Sequence, residues 1–386
     1  SVVMALFAWP MAYAYSQPEL IGILLIMSLT PFITGLENPA LSVMIKNFRV
    51  EKKVALELGS QLMWLISTVI LAILMQSVYA LAIGVVLSSL YRVMGSFMVI
   101  DYFPKPRMNR GYALEIFHFG KFIFLNTLIS FTAMNADILL IGKVLHMKNL
   151  GIYSIGRGIG TLIWMVCLQT FLQSYMPAVS SVAGDIPRIA RMYRRFTALV
   201  LAVSTPASIV LALFSGDIIA ILYDPRYSDA AISMFWFSIS GILLVLNAVN
   251  SNTFIATNKL KFETLSMAVS LVLVLVLVPL GAYRFGLTGA AAGMFISITV
   301  MVIVQSVFLW KGLGFPFSGT LHPWLQIVVV TGIITLSHEV LRPVLATEVF
   351  HNIPFIILMA ILSLAVSGLV YYQWNLRFNA DEVTSS

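Results

Sequence analysis

The stretch LVLVLVLVPLGAY, Leu271–Tyr283, decides the fold class. Its Leu/Val alternation has the period of a strand, yet both faces are apolar and neither suits water. A membrane-barrel strand alternates apolar with polar residues over roughly 10 positions. A helix satisfies every backbone group within itself, so in lipid it tolerates β-branched residues. The stretch therefore reads as helix. It lies in the run Leu265–Tyr283, close to the ~20 residues that span a hydrocarbon core at ~1.5 Å per residue.

The same pattern recurs along the chain. Twelve apolar runs are read: Ser1–Tyr15, Leu20–Leu36, Val54–Gln76, Val78–Ile100, Ile116–Leu140, Gly151–Ser180, Tyr193–Phe214, Ala230–Asn250, Leu265–Tyr283, Gly286–Trp310, Trp324–Leu341 and Pro354–Tyr372. The chain is 60% hydrophobic and only 10% charged, whereas ordinary soluble domains carry about 25% charged residues. The expected class is all-α: a polytopic membrane protein with about twelve transmembrane helices, lipid being the solvent for most of the chain. Ser1 lies inside an apolar run with no basic segment before it, which is not a signal peptide. It reads as a chain cut within a spanning helix.

The formal charge of +7 does not point to nucleic acid, because the basic residues are spread over short connectors rather than gathered on one face. Alternate connectors hold Lys46, Arg49, Lys52, Lys53; Lys105, Arg107, Arg110; Arg188, Arg191, Arg194, Arg195; Lys259, Lys261; Lys311; and Arg377. The opposite connectors hold Lys143, Lys148, Arg226, Arg284 and Arg342. Fifteen cations against five is the positive-inside bias, so the first set is expected to be cytoplasmic, together with the C-terminus. The connectors are too short for a folded soluble domain, so the function is expected within the bilayer.

No catalytic or metal constellation stands out. Cys167, the one cysteine, sits in an apolar run and is expected to pack as a small hydrophobe. The histidines 118, 146, 322, 338 and 351 lack ligand spacing, and there is no D-x-D on a sizeable loop. No metal, no cofactor and no enzymatic activity are expected. Pro31, Pro177, Pro206 and Pro279 lie in or near the runs and are read as kinks or as hinges. The small residues of GLTGAAAGMF, Gly286–Phe295, favour close helix packing.

Attention therefore falls on charges within the runs: Arg92, Lys121, Asp137 and Arg157. A charge at the centre of a spanning helix costs roughly 2.5–3.5 kcal/mol on insertion scales, so one that is present faces a polar interior or a partner. Asp137 and Arg157 sit at similar depth on successive runs, and a structural ion pair competes with a functional role. Arg92 and Lys121 either line a wet cavity or snorkel to the headgroups. Asn126, Asn135, Gln169, Gln173, Asn247 and Asn250 are read as interhelical hydrogen bonders or as polar cavity lining; Gln169 and Gln173, four apart, share a helix face.

Several motifs together resemble the polysaccharide (O-antigen and exopolysaccharide type) flippases of the multidrug/oligosaccharidyl-lipid/polysaccharide exporter superfamily. They are D-x-x-x-I-G-K-x-L at Asp137–Leu145, N-L-G-I-Y-S at Asn149–Ser154, S-Q-P-E-L at Ser16–Leu20, the segment Pro39–Arg49, Y-M-P-A-V-S at Tyr175–Ser180 and Y-D-P-R-Y-S-D-A at Tyr223–Ala230. The resemblance implies two six-helix lobes around a central cavity. Residues 1–100 would be helices three to six of the N-lobe, its first two helices lacking, and residues 112–312 a complete C-lobe. Residues 322–372 would form an extra helix pair and 373–386 a cytoplasmic tail.

The function implied is movement of undecaprenyl-diphosphate-linked oligosaccharide across the bacterial inner membrane by alternating access, with polymerase and chain-length proteins of the same pathway as possible partners. Arg157, Arg92 and Lys121 would be cavity cations for the diphosphate, since guanidinium pairs phosphate oxygens bidentately. Asp137 would pair with Arg157 or bind a coupling ion. A drug/cation antiporter of the same superfamily, and more remotely a membrane glycosyltransferase or polymerase, are the alternatives.

Overall fold

The computed structural model describes residues 1–15, 17–38, 50–99, 110–182, 184–345, 356 and 358–372. The connector cations Lys46, Arg49, Lys105 and Arg107, the motif from Pro39 to Arg49 and the tail with Arg377 lie outside the described residues. The chain divides into two compact units, Ser1–His118 and Phe119–Ser386.

The first unit contains α1 (Val2–Tyr15), α2 (Glu19–Met27), α3 (Leu29–Gly35), α4 (Val50–Met75) and α5 (Tyr79–Val99). The run Leu20–Leu36 is thus two short helices meeting at Ser28, whose hydroxyl donates to the Leu25 carbonyl at 2.7 Å. α4 and α5 pack side by side across a very tight joint. Gln76 makes that joint by adopting φ 47°, the left-handed conformation that ends a helix. The outer face of α4 carries exposed Leu62, Ile66, Ile70, Ile73 and Leu74; around a membrane protein that is the surface offered to lipid.

After α6 (Arg110–Val144), the second unit holds α7 (His146–Gly160), α8 (Leu162–Thr170), α9 (Leu172–Ser180), α10 (Ile186–Leu213) and α11 (Ser215–Leu222). Then come α12 (Ala230–Ala256), α13 (Leu260–Val307), α14 (Phe317–Leu345) and α15 (Leu358–Tyr372). α12 is the centre of this unit. It packs on α7, α8, α9, α10 and α13, and its inner residues from Phe237 to Asn250 are almost all buried. Close approach is built in by glycine. A Cβ at Gly160 would sit 2.6 Å from Phe237 Cβ and 2.8 Å from the Met234 carbonyl oxygen of α12.

Among the described residues six helices are long and apolar enough to cross a membrane, or seven if the bent pair α7–α8 is one span. The 53-residue stretch Leu260–Gly312 is too long for one crossing and breaks at Gly286, with φ 60° and ψ −140°, a conformation open in practice to glycine alone. The two halves fold back on each other through Gly281 and Gly289, whose backbones touch. The GLTGAAAGMF stretch is the tight packing surface its composition foretold. Counting these halves separately and adding α6 and the shorter apolar helices Val2–Tyr13, Glu19–Gly35 and Leu358–Tyr372 accounts for the twelve runs. The chain is a multi-pass helical membrane protein.

Candidate functional site

The run Gly151–Ser180 departs most from its sequence reading. A continuous helix from His146 to Ser180 would be about 50 Å long, against a ~30 Å hydrocarbon core. It is instead broken at Thr161 and Phe171, with a 42° bend between α7 and α8. Thr161 caps the first piece by donating both its backbone N–H (3.0 Å) and its hydroxyl (2.9 Å) to the Arg157 carbonyl. Arg157 therefore occupies the last turn of a short helix, where the negative end of the helix dipole favours a cation.

His146, at φ 67°, reverses the chain between α6 and α7. The resulting hairpin sets Met134 opposite Arg157 and Asp137 opposite Tyr153. Asp137 is completely buried. Its Oδ2 accepts from the Tyr153 hydroxyl at 2.8 Å, and its Oδ1 lies 3.3 Å from Arg157 Nη1. Oδ1 receives no hydrogen bond of good geometry, so this contact is ionic rather than a two-pronged fork. Arg157 Nη2 donates to the Met134 carbonyl at 2.6 Å, and the guanidinium centre lies 5.7 Å from the Phe237 ring centroid. Tyr153 is buried and meets Phe237 edge-on at 5.3 Å. The Arg157 side chain keeps 17% exposure. A guanidinium has five N–H donors, so Arg157 is held in place without being saturated.

Elsewhere the predicted residues go separate ways. Arg92 in α5 donates from Nε to Glu37 Oε1 at 2.8 Å, and its side chain is 38% exposed. Asn135 bonds to the Phe131 carbonyl of its own helix at 2.9 Å, and Gln169 in α8 is exposed. The side chains of Lys121, Asn126 and Gln173 lie outside the described residues. Cys167 is buried beside Val200 and Val245. The sequence reading overlooked Tyr153, although it stands four residues before Arg157 and so shares its face.

Glu263 falls between two apolar runs, beside Lys259 and Lys261, yet it does not face water. It is buried in the first turn of α13 and accepts from the Ser251 hydroxyl at 2.7 Å and the Gln305 amide at 3.0 Å. The buried positions Glu263, Ser266, Ser270, Val274 and Val278 recur at intervals of three or four residues, one face of a helix that begins earlier than its apolar run.

Comparison with known proteins gives this arrangement a setting. The family described as "Polysaccharide biosynthesis protein" matches residues 1–232. The amylovoran biosynthesis protein AmsL of Erwinia amylovora is 20% identical over 87% of this chain and 88% of its own length. A probable low-salt glycan biosynthesis flippase, Agl15 of Haloferax volcanii, is 20% identical over 58% of this chain and 48% of its own. The solved structure of the lipid II flippase MurJ, in an inward closed conformation, superposes with a TM-score of 0.77 at 13% identity, covering 97% of this chain and 80% of that one. At that identity the likeness is one of fold.

Proposed function

Because this chain belongs to the polysaccharide biosynthesis protein family, we propose that it flips a lipid-diphosphate-linked oligosaccharide from the cytoplasmic to the outer leaflet of the bacterial inner membrane. The observation that carries this reading is Arg157: an intramembrane guanidinium at a helix break, fixed by Asp137 and Met134 yet partly exposed and with donors to spare. Broken helices whose ends meet a polar ligand recur in secondary transporters. A diphosphate is the group for which an arginine at such a place is suited. Names among the relatives support the substrate class, one being a probable glycan flippase and the structural neighbour a lipid II flippase.

On this reading residues 1–100 and 112–312 belong to the two lobes of an alternating-access exporter, Arg92 and Lys121 are further cations for the diphosphate, and the basic connectors and C-terminus face the cytoplasm. Polymerase and chain-length proteins acting on the exported repeat unit are its working partners.

The test is deletion of the gene in its native host, followed by analysis of lipid-linked intermediates. A flippase mutant loses surface glycan and accumulates complete lipid-linked repeat units on the cytoplasmic leaflet, shielded from an impermeant probe of the outer face. A glycosyltransferase mutant would accumulate incomplete units, and a polymerase mutant would display single units outside. An altered drug susceptibility with normal glycan would indicate an antiporter. Any of these three results rejects the proposal.

A further inference from the structure

Glu263 is 4% exposed, and both its carboxylate oxygens are held by uncharged donors, the Ser251 hydroxyl and the Gln305 amide. Gln305 Nε2 also donates to Asn247 Oδ1 at 2.8 Å, while its Oε1 accepts from Asn250 Nδ2 at 3.2 Å. Asn250 Oδ1 in turn accepts from the Tyr193 hydroxyl at 2.8 Å. Asn250, Gln305 and Tyr193 are all buried. One hydrogen-bond chain thus joins a carboxylate to α10, α12 and both ends of α13.

The charged and titratable groups around it stay apart from the carboxylate. Lys259 and Lys261 precede it, the Lys261 ammonium lying 5.3 Å from the Phe262 ring centroid, and Lys311 caps Trp310 at 5.1 Å. Arg191, Arg194 and Arg195 flank Tyr193 on α10, and the Tyr175 hydroxyl bonds to Thr253 at 2.8 Å. Among the described residues none of these cations forms an ion pair with Glu263. A buried carboxylate with no counter-charge bears a heavy desolvation penalty that one proton removes.

The direction of the chain depends on Glu263 being an acceptor. Once it carries a proton, its O–H needs an acceptor, which Gln305 supplies by turning its amide over, since the two ends of an amide exchange donor for acceptor. Gln305 then offers its nitrogen to Asn250, Asn247 and Asn250 both turn in response, Asn247 now donating to the Gln305 oxygen, and Tyr193 becomes an acceptor that must send its own proton elsewhere. Thr197, one turn further along α10, is buried beside the Tyr193 hydroxyl, and its Oγ1 is placed to accept that proton.

We propose that Glu263 is a proton-binding site and that loading it reverses the hydrogen-bond chain Glu263–Gln305–Asn250–Tyr193. A proton fits better than a metal ion, because both oxygens face N–H and O–H hydrogens. Among the described residues, moreover, no three His, Cys, Asp or Glu side chains gather to hold a metal. That the reversal biases transport rests on the flippase reading above; the proton site itself does not.

The experiment is infrared difference spectroscopy of the full chain in lipid nanodiscs between alkaline and acidic buffer, which reads no transport. The expected result is a protonated-carboxyl carbonyl band that appears on acidification, with a tyrosine ring-mode change alongside it. Both are lost in Glu263→Gln, both persist in Asp137→Asn, and Tyr193→Phe removes the tyrosine change alone. The band's survival in Glu263→Gln, its absence from the unaltered protein, or its response to sodium at fixed pH overturns the site. A carbonyl band with no tyrosine change overturns the reversal. Should Glu263→Gln fail to fold, Ser251→Ala removes one hydrogen bond to the carboxyl and shifts the band's frequency; an unmoved band refutes the assignment.

Discussion

Asp137 and Arg157 offer a double-mutant cycle in which stability and transport can be read apart. Removing one partner of a buried ion pair costs about 3–5 kcal/mol, because the other charge is left uncompensated. Arg157→Leu isolates Asp137, which has no exposure at all and keeps only the Tyr153 hydroxyl, so its cost belongs at the upper end. Asp137→Asn leaves Arg157 with the Met134 carbonyl and 17% exposure, which places it at the lower end. The double variant removes both charges and should lose clearly less than the sum of the singles, by about 2–3 kcal/mol. Thermal unfolding of purified protein in detergent measures the stabilities, and surface glycan in a complemented deletion strain measures function. If Arg157 also holds the diphosphate, the double variant is well folded and still exports nothing. A double variant that is both stable and fully active would reduce the pair to a structural strut and refute the binding role.

Other expectations are separable. Tyr153→Phe keeps the edge-on contact with Phe237 but deprives Asp137 of a charge-assisted hydrogen bond, a loss of roughly 1.5–3 kcal/mol in thermal unfolding. Gly160→Leu drives a side chain into Phe237 Cβ and the Met234 and Ser238 backbone of α12 and should abolish folded protein in size-exclusion chromatography, whereas Gly158→Ala, with nothing within 4 Å of the new Cβ, should be neutral or stabilising by up to ~1 kcal/mol. Glu37→Gln breaks a half-exposed pair with Arg92 and should shift stability by no more than ~1 kcal/mol. A fluorescent reporter that matures only in the cytoplasm, fused after Ser386, should light up; a dark fusion with normal expression would reverse the proposed orientation.

How much of this was legible beforehand follows from what each signal depends on. Apolar length is a property of short windows, and it located the spanning segments without any tertiary information. The breaks at Thr161 and Phe171 were not visible, because neither residue forbids a helix: the excess length of Gly151–Ser180 was the available clue, and only packing against α12 decides where the chain bends. The Asp137–Arg157 contact could be anticipated as one of two readings, since intramembrane charges need partners.

Glu263 shows the opposite case. Two lysines within four residues made Lys259–Glu263 look like a solvated connector, and hydropathy alone gives a carboxylate there no reason to be inside. Its burial is a consequence of α12 presenting Asn247, Asn250 and Ser251 at helical spacing toward the start of α13, with Gln305 arriving from its other end. Three of those four partners are amide side chains, which can donate or accept according to how they turn. A core built this way stays satisfied whether or not the carboxylate holds a proton, provided the amides reorient together. A core meant only to bury Glu263 would serve better with a fixed cation beside it. That choice of partners, unreadable from any single helix, is what separates a site that can be loaded and emptied from one that is merely buried.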